Sequence, residues 1–373
     1  MKFSDIPGLA DVKQLLTDAV KSNHTAHAQL FVGAAGALNL PLALAYATYL
    51  HCENKGDDSC GVCPACSKNA KFIHPDTHFV FPLSNVKNDK DDDRFRAEIT
   101  KSWRSFLLEQ SYGSLDDWTN FYGGEDKMAL ISREESREII KTLSLKPFES
   151  PHKVMIIWQP ELMHTSAANG ILKILEEPPP QTFFILVTNA ADRLLSTIIS
   201  RTQIVTVPLL QDDALATTLR ERHGVEATKA DKLASLAEGN LSLAVRLIET
   251  PEDNNSGEFI DWMRTCFRKS YGKLVAMADT FHGLDKLSQR SRMTYSINMM
   301  RESMLYISGA GAMNRTRGEE LKFVQDFSKV LTLEKIENTY KLLNDAAYHL
   351  ERNGSAKMIF LDLSLKLSKT LNP

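Results

Sequence analysis

The chain has 373 residues, a formal net charge of -3, 43% hydrophobic and 24% charged residues. That length accommodates two or three domains with a substantial core, and the near-neutral balance excludes nucleic-acid binding through an overall positive field, leaving only local patches. The start, Met1-Lys-Phe-Ser-Asp-Ile-Pro-Gly-Leu9, is without the basic start and apolar core of a signal peptide, and no apolar run reaches membrane-spanning length, so a cytoplasmic protein with no membrane partner is expected.

Helical spacing begins at Ala10 to Ser22, where Leu15, Leu16, Ala19 and Val20 share one face of a packing helix. His27-Ala-Gln-Leu-Phe-Val32 reads as an apolar strand that meets Gly33-Ala-Ala-Gly36, followed by a helical run from Leu40 to Leu50. Strand, glycine turn and helix is the order of a phosphate loop. A working G-x-x-x-x-G-K-[ST] loop needs a second glycine for close backbone approach, a lysine for the β- and γ-phosphates and a hydroxyl for Mg²⁺. Aligned from Gly33, those positions hold Leu38, Asn39 and Leu40, and Pro41 removes an amide donor from the helix start. This degenerate loop is expected to hold neither ATP nor Mg²⁺. Gly33 and Gly36 then serve only the sharp turn from strand to helix.

Four of the five cysteines follow: Cys52, Cys60, Cys63 and Cys66. The overlapping Cys-x-x-Cys pairs aim thiolates at one centre and Cys52 closes it across a longer loop, the donor set of a closed, tetrahedral structural zinc site. Four unrelated reduced thiols, or a redox pair, fit this density less well. Cys266, alone in a later helix, is expected in the core.

Between Ser84 and Lys127 the sequence changes character. The charge run Asn88 to Arg94 reads as a solvated loop. A helical segment with Ile99, Trp103, Phe106 and Leu107 comes next, and then an aromatic piece through Trp118, Phe121 and Tyr122. It is either an elaboration that packs on its own domain or, if its aromatics are exposed, a partner-binding insertion. Ser132 and Glu135 have the spacing of a capping box at the start of a helix that ends by Pro147. Lys153 to Ile157 is a buried strand followed by Trp158 and Gln159. Ser166 to Glu177 has a helical apolar face at Ile171, Leu172, Ile174 and Leu175, and Pro178-Pro-Pro180 ends it. Phe183 to Val187 reads as another buried strand, closing on Thr188 and Asn189 at its carboxyl end, where open α/β sheets build their sites. Ser200 and Arg201 follow a short helix.

The block from Leu175-Glu-Glu-Pro-Pro179 to Ser200-Arg-Thr202 resembles the bacterial clamp-loader family of AAA+ ATPases, with Thr202 where that family carries cysteine. The zinc module and His74-Pro-Asp76 fit the same resemblance. It implies a three-layer α/β core with a parallel sheet over 1-207, a small helical lid over 208-250 and an all-helical collar over 258-373, the last two parted by a linker at Thr250 to Gly257. In hydrolysing relatives the strand ending at Ile157 would be followed by Asp-Glu, and the lid would carry an arginine where this chain has Ser242 in Gly239-Asn-Leu-Ser-Leu-Ala244. Trp158 and Gln159 are neither a carboxylate ligand nor a base at neutral pH. Such concerted loss implies a member that kept the fold and gave up the reaction. The resemblance further implies that Arg201, with Ser200 beside it, reaches the ATP of an adjacent motor subunit. Implied partners are the motor ATPase subunits and the clamp-opening subunit in a ring of five, and through that complex a sliding clamp and primed DNA. An active motor subunit and a zinc-containing nucleic-acid-binding protein are the competing expectations; a surface or capping arginine is the plain reading of Arg201.

Overall fold

Lys153–Trp158 is buried along its whole length, and Thr182–Thr188 and Ala28–Val32 nearly so. Runs apolar on both faces, without polar alternation, are what strands covered by helices on either side require. In a computed structural model of the chain they form the centre of a five-stranded, fully parallel sheet. The structure describes residues 1-84, 92-124, 128-249, 255-311, 314, 316, 318-351 and 354-372. In chain order the strands are β1 (Ala28–Val32), β2 (Thr77–Val80), β3 (Leu83–Ser84), β4 (Ala129–Leu130), β5 (Lys153–Trp158), β6 (Thr182–Thr188) and β7 (Gln203–Thr206). The sheet order is β2-β5-β6-β1-β7, while β3 and β4 make a separate antiparallel pair.

From β1 the chain crosses to the far edge at β2 and returns through β5 and β6 before placing β7 on the other flank of β1. Reversals of this kind open a crevice beyond the carboxyl ends of the strands. Val32 pairs with both Thr188 and Thr206, and Trp158 with Val187, so Gly33, Gln159 and Asn189 emerge together. The core on one side of the sheet gathers Leu30, Ile157, Ile171, Leu175 and Leu186. Lys153, buried at the start of β5, donates from Nζ to the carbonyls of Thr142 (2.7 Å) and Leu145, capping the end of the helix Arg133–Ser144.

The inserted stretch forms the helices Asp92–Glu109 and Leu115–Phe121. Residues 88-91 of the charge run lie outside the described residues, and Asp92 to Arg94 are helical rather than loop. Trp103, Phe106 and Trp118 are buried against their own unit, so the elaboration that packs on its own domain describes these side chains, and they offer no exposed aromatic surface. Helices Asp212–His223, Ala227–Ala237 and Leu241–Glu249 follow β7.

The chain divides into two units, Met1–Arg246 and Leu247–Pro373. Every element of the second is helical among the described residues: Asn255–Phe267, Tyr271–His282, Lys286–Ile307, Gly318–Val330, Leu333–Glu351 and Ala356–Thr370. Phe360 stacks on Trp262 at 4.7 Å and on Phe281 at 4.5 Å in its core, and Cys266 is buried. Of the expected linker, 250-254 lie outside the described residues and Asn255 to Gly257 already belong to a helix. Among the described residues no helix is long and apolar enough to cross a membrane.

Candidate functional site

The carboxyl end of β1 is where a phosphate loop would sit, and here it is filled by side chains. Gly36 has φ +89, a conformation that glycine adopts without strain. A Cβ there would fall 2.3 Å from Cγ of Asn240, so the Asn240 side chain lies against the glycine itself. Asn240 is fixed in turn because its Oδ1 accepts from the backbone N–H of Leu243 at 3.0 Å, at the start of the helix Leu241–Glu249.

The turn is closed from inside as well. Asn189 donates from Nδ2 to the carbonyls of Gly33 (3.0 Å) and Ala34 (2.9 Å), and its Oδ1 accepts from Gln159 Nε2 at 2.8 Å. Asn39 donates to the carbonyl of Thr188 at 2.8 Å, and Ala37 N–H to the carbonyl of Ala34 at 2.9 Å. Leu38, Asn39 and Leu40, at the start of the helix Asn39–His51, are 2%, 3% and 3% exposed. A helix start attracts phosphate through open N–H groups; here the Leu40 N–H is taken by Asn39 Oδ1 at 3.2 Å.

At the end of β5, Trp158 turns into the insertion. Its ring centroid lies 5.2 Å from that of Trp103 and 6.3 Å from that of Phe106; Trp103 stacks on Phe81 at 4.3 Å, and Trp118 donates to the carbonyl of Pro82 at 2.9 Å. Glu161 accepts from Thr188 Oγ1 at 2.8 Å and from Asn189 N–H at 3.3 Å, and burial pushes its carboxyl above the usual range. Gln159, Glu161, Thr188 and Asn189 at this edge are thus hydrogen-bonded to one another and to the turn after β1.

The four cysteines do converge. The sulfurs of Cys52, Cys60, Cys63 and Cys66 lie within 4.8 Å of one another, and those of Cys60 and Cys66 are 3.9 Å apart. Tetrahedral zinc with Zn–S bonds of about 2.3 Å sets sulfurs roughly 3.8 Å apart, so the donor set fits. Backbone N–H groups support it: Cys60 donates to Cys52 Sγ at 3.2 Å, Cys63 to Cys60 Sγ and Cys66 to Cys63 Sγ, both at 3.4 Å. The backbone N–H groups of Val62 and Cys63 draw the Cys60 thiol down to about 6, whereas burial pushes Cys52 and Cys66 up. Nearby, Asp76 accepts from the backbone N–H groups of Phe148, Glu149 and Ser150. His51 stacks on His74 at 4.2 Å.

Arg201 lies apart from these features, just past the short helix Ser196–Ile199 and before the edge strand β7. Its side chain is 31% exposed and pairs with Glu176. Nη1 donates to the Thr197 carbonyl at 3.0 Å, which is also the capping role of the plain reading, and to Ser200 Oγ at 3.4 Å. Sequence reasoning missed Asn240, and it left Asn189 as a polar group of unstated use. The position of Asn189 at a strand end was visible, but the wedge of Asn240 against Gly36 joins residues too far apart for spacing to reveal.

The fold and site define a class: a parallel α/β module whose glycine turn after β1 is packed by hydrocarbon and amide side chains, with a four-cysteine cluster in the same unit. Residues 8–211 match the family described as DNA polymerase III, delta subunit, and the chain belongs to that family. It is 27% identical over 271 residues to the DNA polymerase III subunit delta' of Bacillus subtilis, covering 73% of this chain and 64% of that protein. Against the delta' subunit of Haemophilus influenzae it is 26% identical over 209 residues, covering 56% of this chain and 50% of that protein. The gamma/tau subunit of Mycoplasma pneumoniae is 24% identical over 253 residues, covering 66% of this chain and 30% of that protein.

Proposed function

We propose that this chain is a non-hydrolysing, delta-prime-type subunit of a DNA polymerase III clamp loader, which closes a ring of five subunits and supplies Arg201 in trans to the ATP of a neighbouring motor subunit. The observation that carries this reading is the plugged carboxyl end of β1. Asn240 takes up space against Gly36, Asn39 and Asn189 spend their amide N–H groups on the carbonyls of Thr188, Gly33 and Ala34, and the Ala37 N–H is turned to the Ala34 carbonyl. Arg201, meanwhile, stands partly exposed at the sheet edge, outside that plug. A guanidinium there stabilises charge developing on a γ-phosphate without its owner binding nucleotide. In this reading 1-207 is an AAA+ core, 208-250 a lid and 258-373 the collar through which subunits assemble, with the motor subunits, the clamp-opening subunit, the sliding clamp and primed DNA as partners. Cys52, Cys60, Cys63 and Cys66 would hold a structural zinc that closes their loop and supplies no reaction step.

The competing reading, a motor ATPase, draws on the similarity to gamma/tau subunits. A titration separates them. Purified chain, freed of motor subunits, is titrated with a fluorescent ATP analogue and Mg²⁺ and assayed for phosphate release. No saturable binding and no release are expected; magnesium-dependent binding with turnover would establish the motor instead.

A further inference from the structure

The helix Thr165–Glu176 stops where its sequence makes it stop: Glu177 leaves helical geometry at φ -123 and ψ 74, and Pro178, Pro179 and Pro180 cannot continue it. Glu176 is therefore fixed as the last helical residue. A carboxylate in that turn opposes the helix dipole, so the stability of the helix gives no reason for a glutamate there. Its partner does. Oε2 of Glu176 accepts from Nε of Arg201 at 3.2 Å and from Nη2 at 3.1 Å. On the other side, Nη1 is tied to the carbonyl of Thr197 at 3.0 Å. One edge and one corner of the guanidinium are held, Nη1 also reaching Ser200 Oγ at 3.4 Å, so of its five N–H donors the second on Nη2 stays available to an incoming anion.

We infer that Glu176 is a positioning residue for Arg201: it orients the guanidinium toward the triphosphate of the neighbouring subunit before that subunit arrives. The inference rests on the trans-acting assignment of Arg201 proposed above. A free arginine side chain samples many rotamers, and restricting them in the unassembled chain removes that cost from the moment of phosphate contact. The pair is open to solvent, with Glu176 61% exposed, so charge attraction alone is weak and the effect is one of orientation. Glu176 itself touches no reacting atom.

The test uses assembled loader complexes carrying Glu176→Ala, Glu176→Gln, Arg201→Ala or the double substitution, with clamp-stimulated ATP turnover measured per assembled complex and kcat separated from KM. Glu176→Ala should lower kcat about threefold to fivefold, the size of an exposed pair, and leave KM for ATP unchanged. Glu176→Gln, which keeps an oxygen acceptor, should recover part of the loss. In the Arg201→Ala background Glu176→Ala should change nothing further, because its effect passes through the arginine. Unaltered or raised kcat in Glu176→Ala, or an equal fall with and without Arg201, overturns the positioning role and leaves the assignment of Arg201 standing. Wild-type turnover in Arg201→Ala overturns both.

Discussion

Trp158 and Trp103 meet with ring centroids 5.2 Å apart and planes tilted by 40°, joining the end of β5 to the inserted helix Asp92–Glu109. Trp158 thereby gives the insertion an apolar anchor at the end of β5.

Trp158→Ala should therefore destabilise the unit Met1–Arg246 by about 3–5 kcal/mol, the cost of removing a fully packed indole. Denaturant unfolding would measure it. Limited proteolysis should show cleavage within the insertion before the remainder of the unit.

Rebuilding the phosphate loop alone should fail. Leu38→Gly, Asn39→Lys and Leu40→Thr together restore the missing residue types, yet Asn240 still lies against Gly36 and Asn189 still holds the carbonyls of Gly33 and Ala34. Calorimetric titration of the triple variant with ATP and Mg²⁺ should give no heat of binding. Gly36→Ala should cost roughly 2–3 kcal/mol from positive φ and overpacking, of which Asn240→Gly should recover only the overpacking share.

Metal analysis of reduced, chelator-free protein should find about one zinc per chain, lost in Cys63→Ser and Cys66→Ser. Because the donors are thiolates, acid and chelators should release zinc together with the fold of the module, seen as new proteolysis between Cys52 and Cys66.

Acid should weaken the first unit through buried and half-buried histidines. Burial, with the nearby Lys153 charge, lowers His78 to about 4, and burial also lowers His74 and His152. A depressed imidazole favours the neutral form in the folded chain. Its contribution is complete above the unfolded value near 6.5 and is lost as pH falls through the folded value near 4. For His78 that is roughly 2–3 kcal/mol, and thermal melts of His78→Gln from pH 7 to pH 4 should show a correspondingly shallower decline than the parent.

Much of this was legible in the sequence because it is local. The strand and turn at Val32 to Gly36, the cysteine spacing and the proline stop after Glu177 each follow from neighbouring residues. Three features were not. The fate of Trp103 and Trp118 depended on burial, which periodicity does not reveal. The strand Thr77–Val80 is short and carries His78, so it gave little apolar signal. Contacts such as Asn240 with Gly36 and Glu176 with Arg201 come from the crossings of the sheet and the packing of the helices after it, which spacing along the chain does not encode.

The central claim is that this chain lends an arginine to a reaction it does not perform. The most direct test is clamp-stimulated ATP turnover by the assembled loader with Arg201→Ala in this subunit alone. A fall is predicted, since such an arginine is worth on the order of 10³-fold at the site it serves. Turnover equal to the parent complex, with assembly intact, would contradict the claim.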